Sequence, residues 1–144
     1  MLYRFRISIH ARPPVEVATR SIRLDGMDYQ MLQLDPAQRT RPLRVSFEEA
    51  VERLEQLPRM FIEPDGSFVW VGQQDASAWQ LDGCLYDRDQ RVIYVDVAGT
   101  CPEQQFDQLL SAFGWPDASL VFQTLQQAVF LDERDFRNYV EGAS

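Results

Sequence analysis

The chain contains no lysine and one histidine, so its 14 basic side chains are all arginines, and they face 22 Asp and Glu residues. Without lysine, neither a lysine Schiff base nor a lysine general base is available. The formal net charge of −8 disfavours binding to nucleic acid or to an anionic membrane surface, because both require a positively charged face.

Long hydrophobic runs are absent as well. No stretch of about 18 apolar residues that could cross a membrane occurs in the sequence, and its first residues lack the apolar segment of a secretory signal. The two cysteines, Cys84 and Cys101, form no CxxC motif. We therefore expect a cytoplasmic protein with reduced thiols, although a disulfide between these two residues stays open.

The motifs of common enzyme classes are also missing. The sequence holds no phosphate loop, GxGxxG, HExxH, GxSxG or Cys/His zinc spacing, so no cofactor is expected. An enzyme with a dispersed site remains open. The length of 144 residues and a hydrophobic content of 45% predict one globular domain over residues 1–144.

Alternating apolar and polar residues predict strands, and the turn residues between them predict hairpins. Leu2–His10 alternates throughout and predicts a half-buried strand whose last residue, His10, is at the surface or hydrogen-bonded. Asp25-Gly26 is typical of a type I′ turn and predicts that Leu24 lies opposite Met27.

A second hairpin is predicted around Pro64-Asp65-Gly66. A three-residue loop would put Met60 opposite Trp70. Phe61 and Val69 make the other face apolar too, so we expect this hairpin to be central in the sheet and covered on both sides.

A third hairpin surrounds residues 87–90, and two registers fit it. The register that pairs Asp87 with Arg91 collects apolar side chains on one face, whereas a slip by one residue would scatter them. The first register is therefore predicted, and it puts Asp82 directly opposite Asp96.

Helices are predicted from capping boxes followed by apolar residues at helical spacing. The first begins at Ser46, with Glu49 completing the box, and the second begins at Thr100, with Glu103. A short third helix follows Asp132. The prediction is an α+β fold, in which two main helices and a short C-terminal helix pack on an antiparallel or mixed β-sheet built from hairpins.

The facing carboxylates of Asp82 and Asp96, with Tyr94 on the same strand face, are candidates for acid–base catalysis or for a cation site. Two close carboxylates raise each other's pKa. A solvated acidic strand face, offset by arginines, explains the same pattern. Cys101 is a further candidate, because the start of a helix lowers the pKa of a thiol, although a small first-turn residue is the simpler interpretation.

Three residues are candidates for contact with a partner. Trp115, between a glycine and a proline, is a large anchor that could reach the surface. Arg4 and Arg6 form a basic stripe on the first strand.

The sequence does not identify a function. The leading hypothesis is a non-catalytic acidic protein–protein interaction domain without a cofactor, and an inhibitor or immunity-like role toward a basic partner is one form that fits by analogy of charge and size. The reason is that residues 46–144 carry six arginines and 18 acidic residues. The alternative is a small enzyme or cation-binding domain that uses the cross-strand carboxylate pair. A homodimer through edge strands also stays open.

Overall fold

The computed structural model describes residues 2–143, and within them one antiparallel sheet of nine strands carries four helices. This architecture agrees with the α+β class. The strands are β1 (Leu2–Ala11), β2 (Thr19–Leu24), β3 (Met27–Leu32), β4 (Met60–Ile62), β5 (Ser67–Gln74), β6 (Ser77–Arg88), β7 (Arg91–Pro102), β8 (Leu120–Thr124) and β9 (Val129–Asp132). The helices are α1 (Pro36–Arg39), α2 (Phe47–Glu55), α3 (Glu103–Ser111) and α4 (Glu133–Ala143).

The strand order is β2-β3-β9-β8-β1-β7-β6-β5-β4, so β1 lies in the middle of the sheet. Its alternating side chains point to opposite faces. On one face, Tyr3, Phe5, Ile7 and Ile9 join the main hydrophobic core together with buried residues of α2, α3 and α4. Helices α2, α3 and α4 therefore cover this face of the sheet.

The other face is covered only near β3, β9 and β8. There Leu32, Leu34, Val121 and Phe130 form a second, small core. The guanidinium of Arg39, at the end of α1, lies 5.4 Å from the centre of the Phe130 ring. The remaining strands, which are β1, β7, β6, β5 and β4 in sheet order, carry no helix on this side in the part of the chain that the structure describes.

The two tight hairpins have the predicted registers. Leu24 lies opposite Met27, and Met60 lies opposite Trp70. The predicted central position of the second hairpin was wrong, because β4 is an edge strand and Phe61 is 64% exposed. Its apolar outer face is therefore uncovered.

The register of β6 and β7 differs from the prediction by two residues. Asp96 lies opposite Cys84, and Asp82 lies opposite Ala98. The loop is shorter than expected, because Asp89 and Gln90 both adopt positive φ angles of 53° and 67°, as a type I′ turn requires. A bulge after Tyr86 accommodates the extra residue. A shift by two residues leaves every side chain on its predicted face.

The helices also depart from the prediction at their ends. Ser46 and Glu49 form the expected capping box of α2. The box at Thr100 was wrong, because β7 extends to Pro102, which is the N-cap of α3 and forms no side-chain cap. At 11 residues, α4 is longer than α2 or α3. The four-residue α1, capped by Asp35, was not predicted.

No helix among residues 2–143 has the length and apolar character needed to cross a membrane.

Candidate functional site on the open sheet face

The uncovered side of β1, β7, β6, β5 and β4 is called the open face. Strand alternation and register place the following residues on it: Arg4, Arg6, Tyr94, Asp96, Ala98, Thr100, Gln80, Asp82, Cys84, Tyr86, Val69, Val71 and Phe61. Five of the residues singled out from the sequence are therefore brought to one surface, namely Arg4, Arg6, Asp82, Tyr94 and Asp96.

Asp96 occupies the middle of this face, between Cys84 on β6 and Ser8 on β1. Partial burial raises the pKa of its carboxyl above the ordinary value, while a hydrogen bond from Tyr86 and the charge of Arg6 act in the opposite direction. The carboxylate is thus partly desolvated and lies near one hydroxyl and one cation.

The two carboxylates do not face each other, but they line the same cavity of about 250 Å³, together with Arg6 and Cys84. Asp82 is exposed and accepts a hydrogen bond of 3.0 Å from the side-chain amide of Gln80. Because they are diagonal neighbours with Arg6 beside them, the direct repulsion expected from the sequence is relieved. Within residues 2–143, no three His, Cys, Asp or Glu side chains are grouped as a metal site requires.

Three stacked rings connect the open face to the covered part of the sheet. Tyr86 stacks on Tyr94 with 4.6 Å between ring centroids, and Tyr94 stacks on His10 at 5.6 Å. His10 then contacts the edge of Phe130 at 4.9 Å. Tyr86 is 38% exposed, so the outer end of the stack is accessible to a ligand.

His10 also belongs to a buried polar chain that the sequence did not reveal. Its Nδ1 lies 2.7 Å from the carbonyl oxygen of Arg39, and its Nε2 lies 2.6 Å from the hydroxyl of Ser8. Since the carbonyl only accepts, Nδ1 carries the proton in the neutral ring and Nε2 accepts from Ser8. Burial lowers the pKa of the imidazole. The i, i+2 spacing of these polar residues on a strand was the available signal.

The Ser8–His10 pair has the hydrogen bond of a nucleophile and its base. However, Ser8 is only 2% exposed, so a substrate has no access to its hydroxyl. The pair satisfies buried polar groups and fixes the orientation of the imidazole beneath Tyr94.

Comparison of the chain with models of known families, with curated proteins and with solved structures found no match. The geometry of the open face is therefore the basis for assigning it a role.

Cys101 is separated from this surface, because it faces the main core beside α3. It is fully buried, and burial raises the pKa of its thiol to about 12, with a further contribution from Asp107. The shift is opposite to the depression expected at a helix start. Cys84 lies on the open face, and both cysteines are free, so the disulfide left open by the sequence is not formed.

Trp115 is also distant from the open face. Its indole Nε1 donates a hydrogen bond of 2.7 Å to Glu133 of α4, and the guanidinium of Arg137 lies 5.5 Å from its ring centre. The side chain is half-buried. These contacts join the segment after α3 to α4.

Proposed function

We propose that this chain is a non-catalytic protein-interaction domain, whose open face binds a protein that presents basic side chains around an apolar anchor. The observation that carries this proposal is the uncovered face itself. Five adjacent strands lack a covering layer among the described residues, and the edge strand β4 exposes the ring of Phe61 at 64%. An exposed patch of this kind is typical of binding surfaces.

The open face offers a place for an apolar anchor. A groove of about 660 Å³ lies where β5 and β7 end and β6 begins, and it is lined by Val71, Gln80 and Thr100 of the open face and by Trp79, whose ring belongs to the main core. Phe61 and Val69 continue the apolar surface towards the edge strand. Aromatic and apolar residues in such a position commonly supply most of the energy of an interface.

Charge around the anchor favours a basic partner. Asp82 and Asp96 lie on the face itself, and acidic residues occupy the ends of the adjoining hairpins: Glu63, Asp65, Asp87 and Asp89. Arg4 and Arg6 border the face on β1, where they match an acidic rim of the partner. A surface of this sign steers a basic protein and makes the association sensitive to salt. Inhibition of a basic enzyme in the cytoplasm is one form that this function takes.

The alternative is a small enzyme or cation-binding domain that uses Asp82 and Asp96. Their shared cavity and the raised pKa of Asp96 are the observations in its favour. Thermal unfolding in the presence of divalent cations separates the two functions, because a cation bound to the native state raises the melting temperature. A rise that Asp82→Asn or Asp96→Asn abolishes supports the alternative.

Affinity capture from native lysate tests the interaction domain with a matched pair of variants. Phe61→Ser removes the exposed ring from the open face. Met27→Ser removes a side chain of similar exposure, 62% against 64%, from the distant β2–β3 hairpin. We expect a saturable partner that binds the wild-type chain and Met27→Ser, and that Phe61→Ser loses.

Binding should weaken between low and moderate salt, because exposed charges are screened. Equal binding by the two variants, or no saturable partner at either salt concentration, contradicts the proposal. Sedimentation of the isolated chain shows whether a second copy occupies the face instead. A dimer that Phe61→Ser dissociates would replace the basic partner with the homodimer.

A further inference from the structure

An arginine-lined cavity lies at the end of the sheet where β1 finishes and where β7 and β8 begin. Its volume is about 340 Å³. Four segments form it: residues 11–14 at the end of β1, the loop 41–44, the start of β7, and residues 113–120. None of the open-face residues lines this cavity, so it is a separate site from the proposed protein-binding surface.

Hydrogen bonds to main-chain carbonyls hold these segments together. The amide of Arg12 donates to the carbonyl of Ser119 at 3.0 Å, and the amide of Leu43 donates to the carbonyl of Val92 at 2.8 Å. The guanidinium of Arg91 donates to the carbonyl of Leu43 at 2.9 Å, and that of Arg41 donates to the carbonyl of Arg12 at 3.4 Å. The cavity therefore forms only when these distant segments come together in the folded chain.

The charge of the cavity is opposite to that of the whole chain. Arg12, Arg41, Arg44 and Arg91 line it, and Asp117 is the one acidic residue among its lining residues. Within residues 2–143, the ion pairs with N–O distances up to 4.0 Å involve Arg23, Arg53 and Arg137. None of the four cavity arginines has a carboxylate partner at that distance in this part of the chain.

The charge of Arg91 also acts on Glu49 at the start of α2. Hydrogen bonds from Ser46 lower the pKa of Glu49 most, and the charges of Arg53 and Arg91 lower it further. Arg12, Arg41 and Arg44 form no ion pair with any of the described carboxylates. These side chains are exposed, and an anion in the cavity would give them a partner of opposite charge.

Buried apolar residues support the arginines from behind. Leu43, Phe113 and Leu120 are at most 3% exposed, and Pro13 and Ala118 are also buried. The accessible lining of the cavity is mainly polar, and its volume of about 340 Å³ lies in the range of sites for small molecules. A long polyanion is disfavoured by the net charge of −8.

We propose that this cavity binds a small molecule that carries a phosphate group, whose oxygens contact the arginines. Arginine suits this ligand because its planar fork pairs two N–H groups with two phosphate oxygens. Four arginines and one aspartate leave three net positive charges around the cavity, which match a dianionic phosphate better than a single carboxylate.

The test is titration calorimetry with inorganic phosphate and with small sugar and alcohol phosphomonoesters, at constant ionic strength set with sodium chloride. We expect saturable binding of inorganic phosphate and of at least one phosphomonoester. Arg41→Gln with Arg44→Gln should weaken binding by about tenfold or more, since a hydrogen bond to a charged group contributes about that factor.

The matched control is Arg20→Gln with Arg134→Gln, which removes the same charge from two exposed arginines outside the cavity. It should bind as the wild type does. Melting temperatures in chloride show that both double variants are folded. No saturable binding of any phosphate, equal weakening in the two double variants, or binding of a dicarboxylate such as succinate in preference to every phosphate overturns the proposal.

Discussion

Ser8 and His10 are joined side chain to side chain along one face of β1, with 2.6 Å between the hydroxyl oxygen and Nε2. Residues at i and i+2 on a strand share a face, which makes this contact available. The opposite nitrogen of the ring is bound to the carbonyl of Arg39. The imidazole is therefore enclosed as a neutral group, and protonation would reverse the hydrogen bond with Ser8, whose hydroxyl could then donate to Gln123 at 3.2 Å.

The stability of the protein should fall as the pH drops below the ordinary histidine value of 6.5, because burial lowers the pKa of His10 in the folded chain. Between the folded and unfolded pKa values the unfolded chain binds the extra proton, so acid favours unfolding. Urea unfolding from pH 8 to pH 5 measures this change.

His10→Asn should lose that part of the pH dependence. The contribution of Asp96 to the pH dependence of stability has the opposite sign. Its pKa is raised in the folded chain, so at pH values just above the ordinary carboxyl pKa the folded chain binds the extra proton and acid favours folding. Since the chain has one histidine, its imidazole NMR signal reports the titration directly. A midpoint at or above 6.5 would be incompatible with the enclosed ring.

Gly99→Ala should destabilise the protein by about 2–4 kcal/mol, because an added Cβ meets the backbone carbonyl of Gln80 and because φ is +134°. Gly26→Ala is the control, since it shares a positive φ of +81° but has open space around the added atom. It should cost only about 1 kcal/mol. Chemical denaturation of both variants separates backbone conformation from close contact, and equal losses would show that contact is unimportant.

Arg137→Lys should cost about 1–3 kcal/mol. The guanidinium is 15% exposed, donates to Asp107 at 2.7 Å and Glu133 at 3.0 Å, and lies over the Trp115 ring. A lysine cannot form the same fork of hydrogen bonds. The exposed Arg134 on the same helix provides the control, and Arg134→Lys should leave the free energy of unfolding within about 0.5 kcal/mol of the wild type.

Iodoacetamide should label Cys84 before Cys101 in the native protein. Cys101 is 0% exposed with a thiol pKa raised to about 12, whereas Cys84 is partly exposed. Thiolate reactivity requires both access and deprotonation. Mass spectrometry of each cysteine peptide gives the order, and denaturant should abolish the difference. Fast labelling of Cys101 in the native protein near neutral pH would contradict this prediction and would support a reactive thiol at that position.

Local signals were sufficient where a turn or cap is determined by neighbouring residues. Asp25-Gly26 predicted the register of β2 and β3, and Ser46 with Glu49 predicted the start of α2. The β6–β7 turn was mislocated because Gln90 adopts a positive φ of 67° without being a glycine. Its tertiary surroundings, rather than its own preference, determine that conformation.

The grouping of the candidate residues was predictable only in part. Strand alternation correctly put Asp82, Tyr94 and Asp96 on one face, since a two-residue slip preserves alternation. Which face would remain uncovered depends on the strand order, which no local pattern encodes. The arginine-lined cavity escaped sequence analysis for the same reason, because Arg12 and Arg91 become neighbours only through pairing of distant segments.

The position of β1 has a consequence for the order of events during protein synthesis. Ile7 pairs with Val97 on one side and with Thr124 on the other. This strand leaves the ribosome long before either neighbour has been made, and both of its edges stay unsatisfied in the meantime. The hairpins can form as they emerge from the ribosome, but β1 cannot be paired on both edges until β8 has been synthesised. The earliest of these strands to be translated is thus among the last to be enclosed.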